Sequence, residues 1–263
     1  MTRSASRPLG QPPVQLDPLD PLDPLDPLDP LDPLDRQAGV EAVVFDLDGT
    51  LVDTAPDITA AVNRLLATHG LPPQTVRFVE QFIGEGSFGL IDKLYRGLGL
   101  HFEPARVAAD VETYLAIYRR HPVAHATVYA DALAAIPALH AAGLRLGVCT
   151  NKAQGLALAV LEHFGIARYF TAVVGGDTLA ERKPHPRHLL ATLEQLEASP
   201  SRTLYVGDTR IDAQCADAAG VRCLIVNWGT GPGVPVAAGA RLESFTELVT
   251  RCAALNAARV PGA

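Results

Sequence analysis

The stretch Ala42-Val43-Val44-Phe45-Asp46-Leu47-Asp48-Gly49-Thr50 constrains the fold more than any other part of the chain. An apolar, β-branched run stops at two aspartates two positions apart, and Gly-Thr follows at once. The run predicts a buried strand within residues 40–47. The aspartates then sit where the strand leaves its sheet, the edge at which open α/β sheets bind ligands. Two carboxylates at one strand end repel each other unless a cation or a proton resolves the conflict. A hard cation such as Mg2+ suits clustered oxygen ligands, and a turn beginning there lets the backbone between the aspartates reach it as well.

Similar strand ends recur further along. Residues 144–149 form an apolar run followed by Thr150-Asn151-Lys152, residues 173–174 a short one, residues 203–208 a run closing on Gly207-Asp208, and residues 221–226 the last. Helical stripes separate them, such as Leu156, Val160, Leu161 and Phe164 before Gly165. This alternation predicts an α/β fold with a mostly parallel sheet. Residues 57–127 break the pattern: they carry only helical stripes, among them Ile58, Val62, Leu65 and Leu66, and Val107, Val111, Tyr114 and Tyr118. An all-helical insertion just past the first strand end is placed to act as a lid over it, or else serves only to add stability.

The other strand ends supply the remaining chemistry. Thr150 and Asn151 offer a hydroxyl and an amide before a helix start, a pattern that suits phosphate, although Thr150 alone reads equally as a helix cap. Lys183 lies in the proline-rich loop Lys183-Pro-His-Pro186, which aims its ammonium rather than leaving it free in solvent, so that it can serve both Asp46 and a phosphoryl group. His185 in the same loop reads as a loop-holding residue more readily than as a base. Asp208 and Asp212, one helical turn apart, can face one point and complete a cation site begun by Asp46 and Asp48. The bland alternatives are a helix cap for Asp208 and a surface acid for Asp212.

Taken in order, Asp46-Leu-Asp48-Gly-Thr, Thr150-Asn, Lys183-Pro, and Gly207-Asp208 with Asp212 resemble the four motifs of the haloacid-dehalogenase-like (HAD) superfamily in its phosphatase branch. The resemblance implies a Rossmann-like three-layer core from residues 37–56 and 128–258, with a small all-helical cap at 57–127. Gly175-Gly-Asp-Thr, Arg182-Lys-Pro-His-Pro186, Tyr205-Val-Gly-Asp208 and the Gly84-x-Gly86 loop are most similar to the branch of bacterial phosphoglycolate phosphatases. Asn227-Trp228-Gly229 departs from the Tyr-Gly pair common in that branch. The resemblance further implies an Mg2+-dependent phosphomonoesterase acting on 2-phosphoglycolate through an aspartyl-phosphate. Asp46 would be the nucleophile and Asp48 the general acid/base. Thr150, Asn151 and Lys183 would bind phosphate. Asp46, the backbone carbonyl of Asp48 and Asp208 would hold the metal, with Asp212 in support. A dehalogenase has no need of Asp48. A phosphatase for another sugar or amino-sugar phosphate, a sugar-phosphate mutase, and a catalytically idle binding protein of the same fold are the other readings.

Charge and cysteine usage bound the partners. Of the net charge of -7, residues 1–36 contribute -4 through three Arg and seven Asp. The nearly balanced remainder shows no general affinity for nucleic acid and leaves the oligomeric state open. Cys149, Cys215, Cys223 and Cys252 form no C-x-x-C pair, no apolar run reaches transmembrane length, and a cytoplasmic location is expected. From Leu16 the sequence repeats Leu-Asp-Pro six times before Leu34-Asp35. Proline at every third residue blocks helical hydrogen bonding and matches the period of polyproline II, so residues 1–36 are expected to be an extended, disordered leader.

Overall fold

The computed structural model describes residues 39–258. The expected leader lies outside them. The elements in chain order are β1 (Ala42–Phe45), β2 (Val52–Asp53), α1 (Ala55–Thr68), α2 (Val76–Glu80), α3 (Gly86–Gly97), α4 (Pro104–Tyr118), β3 (Thr127–Val128) and α5 (Ala132–Ala141). They continue with β4 (Arg145–Cys149), α6 (Gln154–His163), β5 (Phe170–Val174), α7 (Pro186–Leu196), β6 (Thr203–Gly207), α8 (Arg210–Ala218), β7 (Arg222–Val226), β8 (Arg241–Leu242) and α9 (Phe245–Ala257).

Six strands form one sheet in the order β5-β4-β1-β6-β7-β8, and its pairings are parallel. Alternation along β1 divides the core. Val43 and Phe45 face one side, where they meet Ile136 and Leu139 of α5, Val160 and Leu161 of α6 and Phe245 and Leu248 of α9. Ala42 and Val44 face the other side, with Leu189 and Leu193 of α7 and Ala213 and Ala216 of α8. Helices on both faces explain why β1 reads as an unbroken apolar run rather than an alternating one. The result is a Rossmann-like three-layer core with a helical cap. The cap helices α1 to α4 bury their own cluster, which includes Val62, Leu66, Ile91, Leu94, Val107 and Tyr114.

The chain enters and leaves the cap side by side. β2 and β3 pair antiparallel, with Val52 opposite Val128 and Asp53 opposite Thr127. Asp57, in the first turn of α1, accepts hydrogen bonds from the main-chain N–H groups of His125 (2.9 Å) and Ala126 (2.8 Å), which ties the returning segment to the outgoing one. The expectation of helix throughout 57–127 therefore needs one amendment, since Thr127 belongs to a strand. Two residues of pairing leave no periodicity for a sequence to display. The same brevity hid β8 and the five-residue α2, whose start is capped by the Thr75 side chain accepting from Phe78 N. β5 begins three residues earlier than its apolar pair Val173-Val174, because exposed Thr171 interrupts the run.

β1 lies between β4 and β6, at the point where the strand order reverses. The carboxyl ends of these three neighbours carry Asp46, Thr150 and Asp208, so residues more than a hundred positions apart open onto one crevice.

Candidate active site

Asp46 directly follows β1 and is buried, its N–H donating to Val206 O of the neighbouring strand at 2.8 Å. The chain then turns sharply. Gly49 adopts φ +81°, and a Cβ there would sit 2.3 Å from Asp208 Oδ2, so only glycine lets the β1 loop pass this close to the β6 loop. Thr50 Oγ1 donates to Asp208 Oδ1 at 3.1 Å, and Thr230 donates to Asp208 Oδ2 through its hydroxyl (2.7 Å) and its N–H (3.2 Å). Asp208 is thus fixed from two loops by neutral donors.

Asp46, Asp208 and Asp212 each bring a carboxylate oxygen to within 4.8 Å of the others, all three buried. Asp212 is no surface acid. Thr209, not Asp208, caps α8, and it closes a capping box with Asp212: Asp212 Oδ2 accepts from Thr209 N at 2.9 Å and from Thr209 Oγ1 at 2.5 Å. Its other oxygen receives Lys183 Nζ at 2.6 Å and lies 2.8 Å from the Tyr205 hydroxyl. Both oxygens of Asp212 are therefore occupied, which suits a residue that positions others. Asp46 differs. Its Oδ1 lies 2.9 Å from Lys183 Nζ, yet that approach is poorly aligned and the buried oxygen accepts no hydrogen bond.

The electrostatics follow from this crowding. Burial, then the charges of Asp212 and Asp48, push the Asp46 carboxyl up to about 7 against the pull of Lys183. Burial, with Asp212 and Asp46 beside it, pushes Asp208 up to about 8. Burial acts on Asp212 in the same direction, but the Lys183 ammonium and three hydroxyl or ammonium hydrogen bonds outweigh it and hold Asp212 low. Clustered hard oxygens, one of them without a hydrogen bond, and charges that one lysine does not balance fit a divalent hard cation.

On the cavity side, Asp48 Oδ1 accepts from Thr54 Oγ1 at 2.5 Å and pairs with Lys152 Nζ at 2.9 Å. Thr150 is buried on the wall of the same cavity, and its hydroxyl accepts from Lys152 N at 3.2 Å, leaving its proton available to donate. The Asn151 side chain is already engaged. Its Nδ2 donates to Gly84 O (2.8 Å) and Lys183 O (2.9 Å), and its Oδ1 accepts from Lys183 N (3.0 Å). The side chain therefore joins the cap loop to the lysine loop, with both amide hydrogens and the amide oxygen engaged. His185 is exposed at the start of α7, where its Nδ1 accepts from Arg187 N at 3.2 Å, a capping role.

Several residues of the site escaped the sequence reading. Tyr114 and Tyr118 read as ordinary members of an apolar stripe, yet both line the cavity with Ile58, Leu90 and Leu156. Lys152 read only as a neighbour of Thr150. A lysine two residues past a strand-end threonine was the available signal, but its partners Asp48 and Tyr118 come from two distant segments. Trp228 supports the β1 loop by donating Nε1–H to Thr50 O at 3.0 Å.

Comparison with known proteins agrees with this geometry. Residues 43–226 match the family model described as haloacid dehalogenase-like hydrolase. The chain is 41% identical over 214 residues to a phosphoglycolate phosphatase of Rhodospirillum rubrum, covering 80% of this chain and 88% of the relative. It is 43% identical over 187 residues to one from Cereibacter sphaeroides, covering 71% and 85%. Among solved structures, a predicted phosphoglycolate phosphatase from Haemophilus somnus 129PT superposes with a TM-score of 0.72 at 26% identity, covering 81% of this chain and 97% of that one.

Proposed function

The chain belongs to the haloacid dehalogenase-like hydrolase family, and from that premise we propose that it hydrolyses 2-phosphoglycolate to glycolate and inorganic phosphate with Mg2+ as its cofactor. The observation that carries the reading is the convergence of Asp46, Asp208 and Asp212 within 4.8 Å, beside a cavity that Asp46, Asp48 and Thr150 line.

Asp46, Asp208 and the main-chain carbonyl of Asp48 would hold the Mg2+, with Asp212 bracing Lys183. Bound there, the ion supplies charge neutralisation and orientation of the phosphoryl group. Asp46 attacks phosphorus, forming the aspartyl-phosphate as the bond to the leaving alkoxide breaks. Asp48, held by Thr54 on the cavity wall, gives its proton to that alkoxide. It then takes a proton from the water that attacks the aspartyl-phosphate, which frees Asp46 and phosphate. Thr150, the N–H groups after it and Lys183 hold the phosphoryl oxygens while their charge redistributes. Residues 57–127 act as the lid that keeps other water out. Four buried thiols support a reducing, cytoplasmic setting.

Initial rates across a panel of phosphate monoesters, with Mg2+ and with EDTA, test the reading. Preference for 2-phosphoglycolate, silence in EDTA and silence of a folded Asp46→Asn variant are expected. Preference for a sugar phosphate would transfer the assignment to that substrate, phosphoryl transfer in place of phosphate release would indicate a mutase, and no release from any ester would leave a binding protein.

A further inference from the structure

Lys152 has no assigned part in the chemistry above, yet among the described residues it is the one cationic side chain on the cavity wall. It is buried at 7% exposure, where an unpaired ammonium is costly. Its Nζ lies 2.9 Å from Asp48 Oδ1, donates to the Tyr118 hydroxyl at 2.8 Å, and stands 4.6 Å from the centre of the Tyr118 ring. Tyr118 ends α4, so core and cap together hold this charge. Orienting Asp48 does not by itself require a lysine, because Thr54 already does so at 2.5 Å.

We propose that Lys152 is the specificity-determining residue, pairing with a substrate carboxylate at the end remote from phosphorus; the inference rests on the 2-phosphoglycolate reading. To be protonated by Asp48, the bridging oxygen of the substrate must come within hydrogen-bond distance of that carboxyl. Lys152 Nζ stands 2.9 Å from the same carboxyl, so a group one or two bonds beyond the bridging oxygen comes within reach of the ammonium. In 2-phosphoglycolate a single CH2 separates the bridging oxygen from the carboxylate. An ammonium carries three donors; Asp48 and Tyr118 take two, and the third is open to a carboxylate oxygen. Lys183 does not serve this end, because it is not among the residues that line this cavity, whereas Lys152 is. The apolar side chains of Ile58, Ile83, Leu90 and Leu156 on the same cavity wall strengthen a charge pair formed there.

The test is the ratio of kcat/KM for 2-phosphoglycolate to that for ethyl phosphate, which carries a methyl group in place of the carboxylate. In Lys152→Met the ratio is expected to fall roughly ten- to hundredfold, the usual worth of a charge-assisted hydrogen bond, with most of the loss in KM for 2-phosphoglycolate. Tyr118→Phe, which removes one hydroxyl, is expected to lower the same ratio by a few-fold. An unchanged ratio in a folded Lys152→Met, with both substrates losing equally, would reduce Lys152 to a support for Asp48 and overturn the inference alone. Should Lys152→Met not fold, the Tyr118→Phe ratio decides, and no change there overturns it. Wild-type protein that ignores 2-phosphoglycolate while releasing phosphate from a sugar ester would remove the functional reading and this inference with it.

Discussion

Replacing Lys183 by methionine tests the charge arrangement most directly. Lys183 is 4% exposed, and its Nζ has Asp212 at 2.6 Å, Asp46 at 2.9 Å and the Tyr205 hydroxyl at 3.0 Å. Methionine fills a similar volume, so the cavity term is small and the lost charge dominates. Removing one partner from a buried ion pair costs about 3–5 kcal/mol, because the other is left buried and uncompensated. For a chain of this size each kcal/mol is worth about 2–4 °C, so the thermal midpoint in EDTA should fall by roughly 6–20 °C. The loss has a pH sign. Asp46 and Asp208 are already raised to about 7 and about 8 from an ordinary value of 3.8, and without Lys183 Asp46 rises further. Between about pH 4 and pH 8 the folded variant then binds protons that the unfolded chain has released, so its stability falls as pH rises. The deficit should be larger at pH 8 than at pH 6. Saturating Mg2+ should recover more of the midpoint in the variant than in wild type, since the ion takes over part of the missing charge. Adding Asp212→Asn should cost less in the Lys183→Met background than in wild type, a coupling that a double-mutant cycle reads directly. A midpoint in EDTA at pH 8 within about 2 °C of wild type would refute the reasoning.

Two further outcomes test the frame around the site. Gly49→Ala places a methyl group 2.3 Å from Asp208 Oδ2 on a backbone at φ +81°, so the Mg2+ concentration for half activity should rise about tenfold or more, and an unaltered Mg2+ titration would show that the loop approach is not limiting. In the cap, buried Asp110 accepts from Tyr95 Oη at 3.0 Å and Arg106 Nε at 3.1 Å and meets His69 Nε2 at 3.0 Å; Asp110→Ala should speed amide exchange in α1 and α4 while leaving β1 and β6 protected, and equal exchange in both would contradict an independently stabilised cap.

How much of this was legible depended on how far each signal reached along the chain. β1, β4, β6 and β7 were visible because strands covered on both faces read as continuous apolar runs, and their ends because each run stops at an acid, a hydroxyl residue or a turn. The two-residue strands β2, β3 and β8 carry no such signal, and their pairing is set by tertiary contacts. The carboxylates were conspicuous as charges at strand ends. Their division of labour was not, because it depends on which hydrogen bonds each receives. Asp212 is saturated by Thr209, Lys183 and Tyr205, whereas Asp46 keeps an oxygen without a hydrogen bond. The partners of Asn151 were hidden for a related reason: its side chain joins Gly84 to the Lys183 loop, contacts between segments far apart in the chain.

The strand order explains why so few residues suffice. With β4, β1 and β6 adjacent, each strand end needs to contribute only one or two side chains, and neighbouring strands lie close enough that no side chain has to reach far. The arrangement divides the charges between two sides of Asp46. On the cavity side Lys152 answers Asp48; on the buried side Lys183 is shared between Asp212 and Asp46, and Asp208 is held by the neutral hydroxyls of Thr50 and Thr230. The excess negative charge therefore collects between Asp46 and Asp208, which is also where burial and mutual repulsion raise both carboxyls furthest. On the proposed function, a divalent ion between Asp46 and Asp208 would cancel that excess, leaving Lys183 with Asp46 and Asp212 and Lys152 with Asp48 and the far end of the substrate.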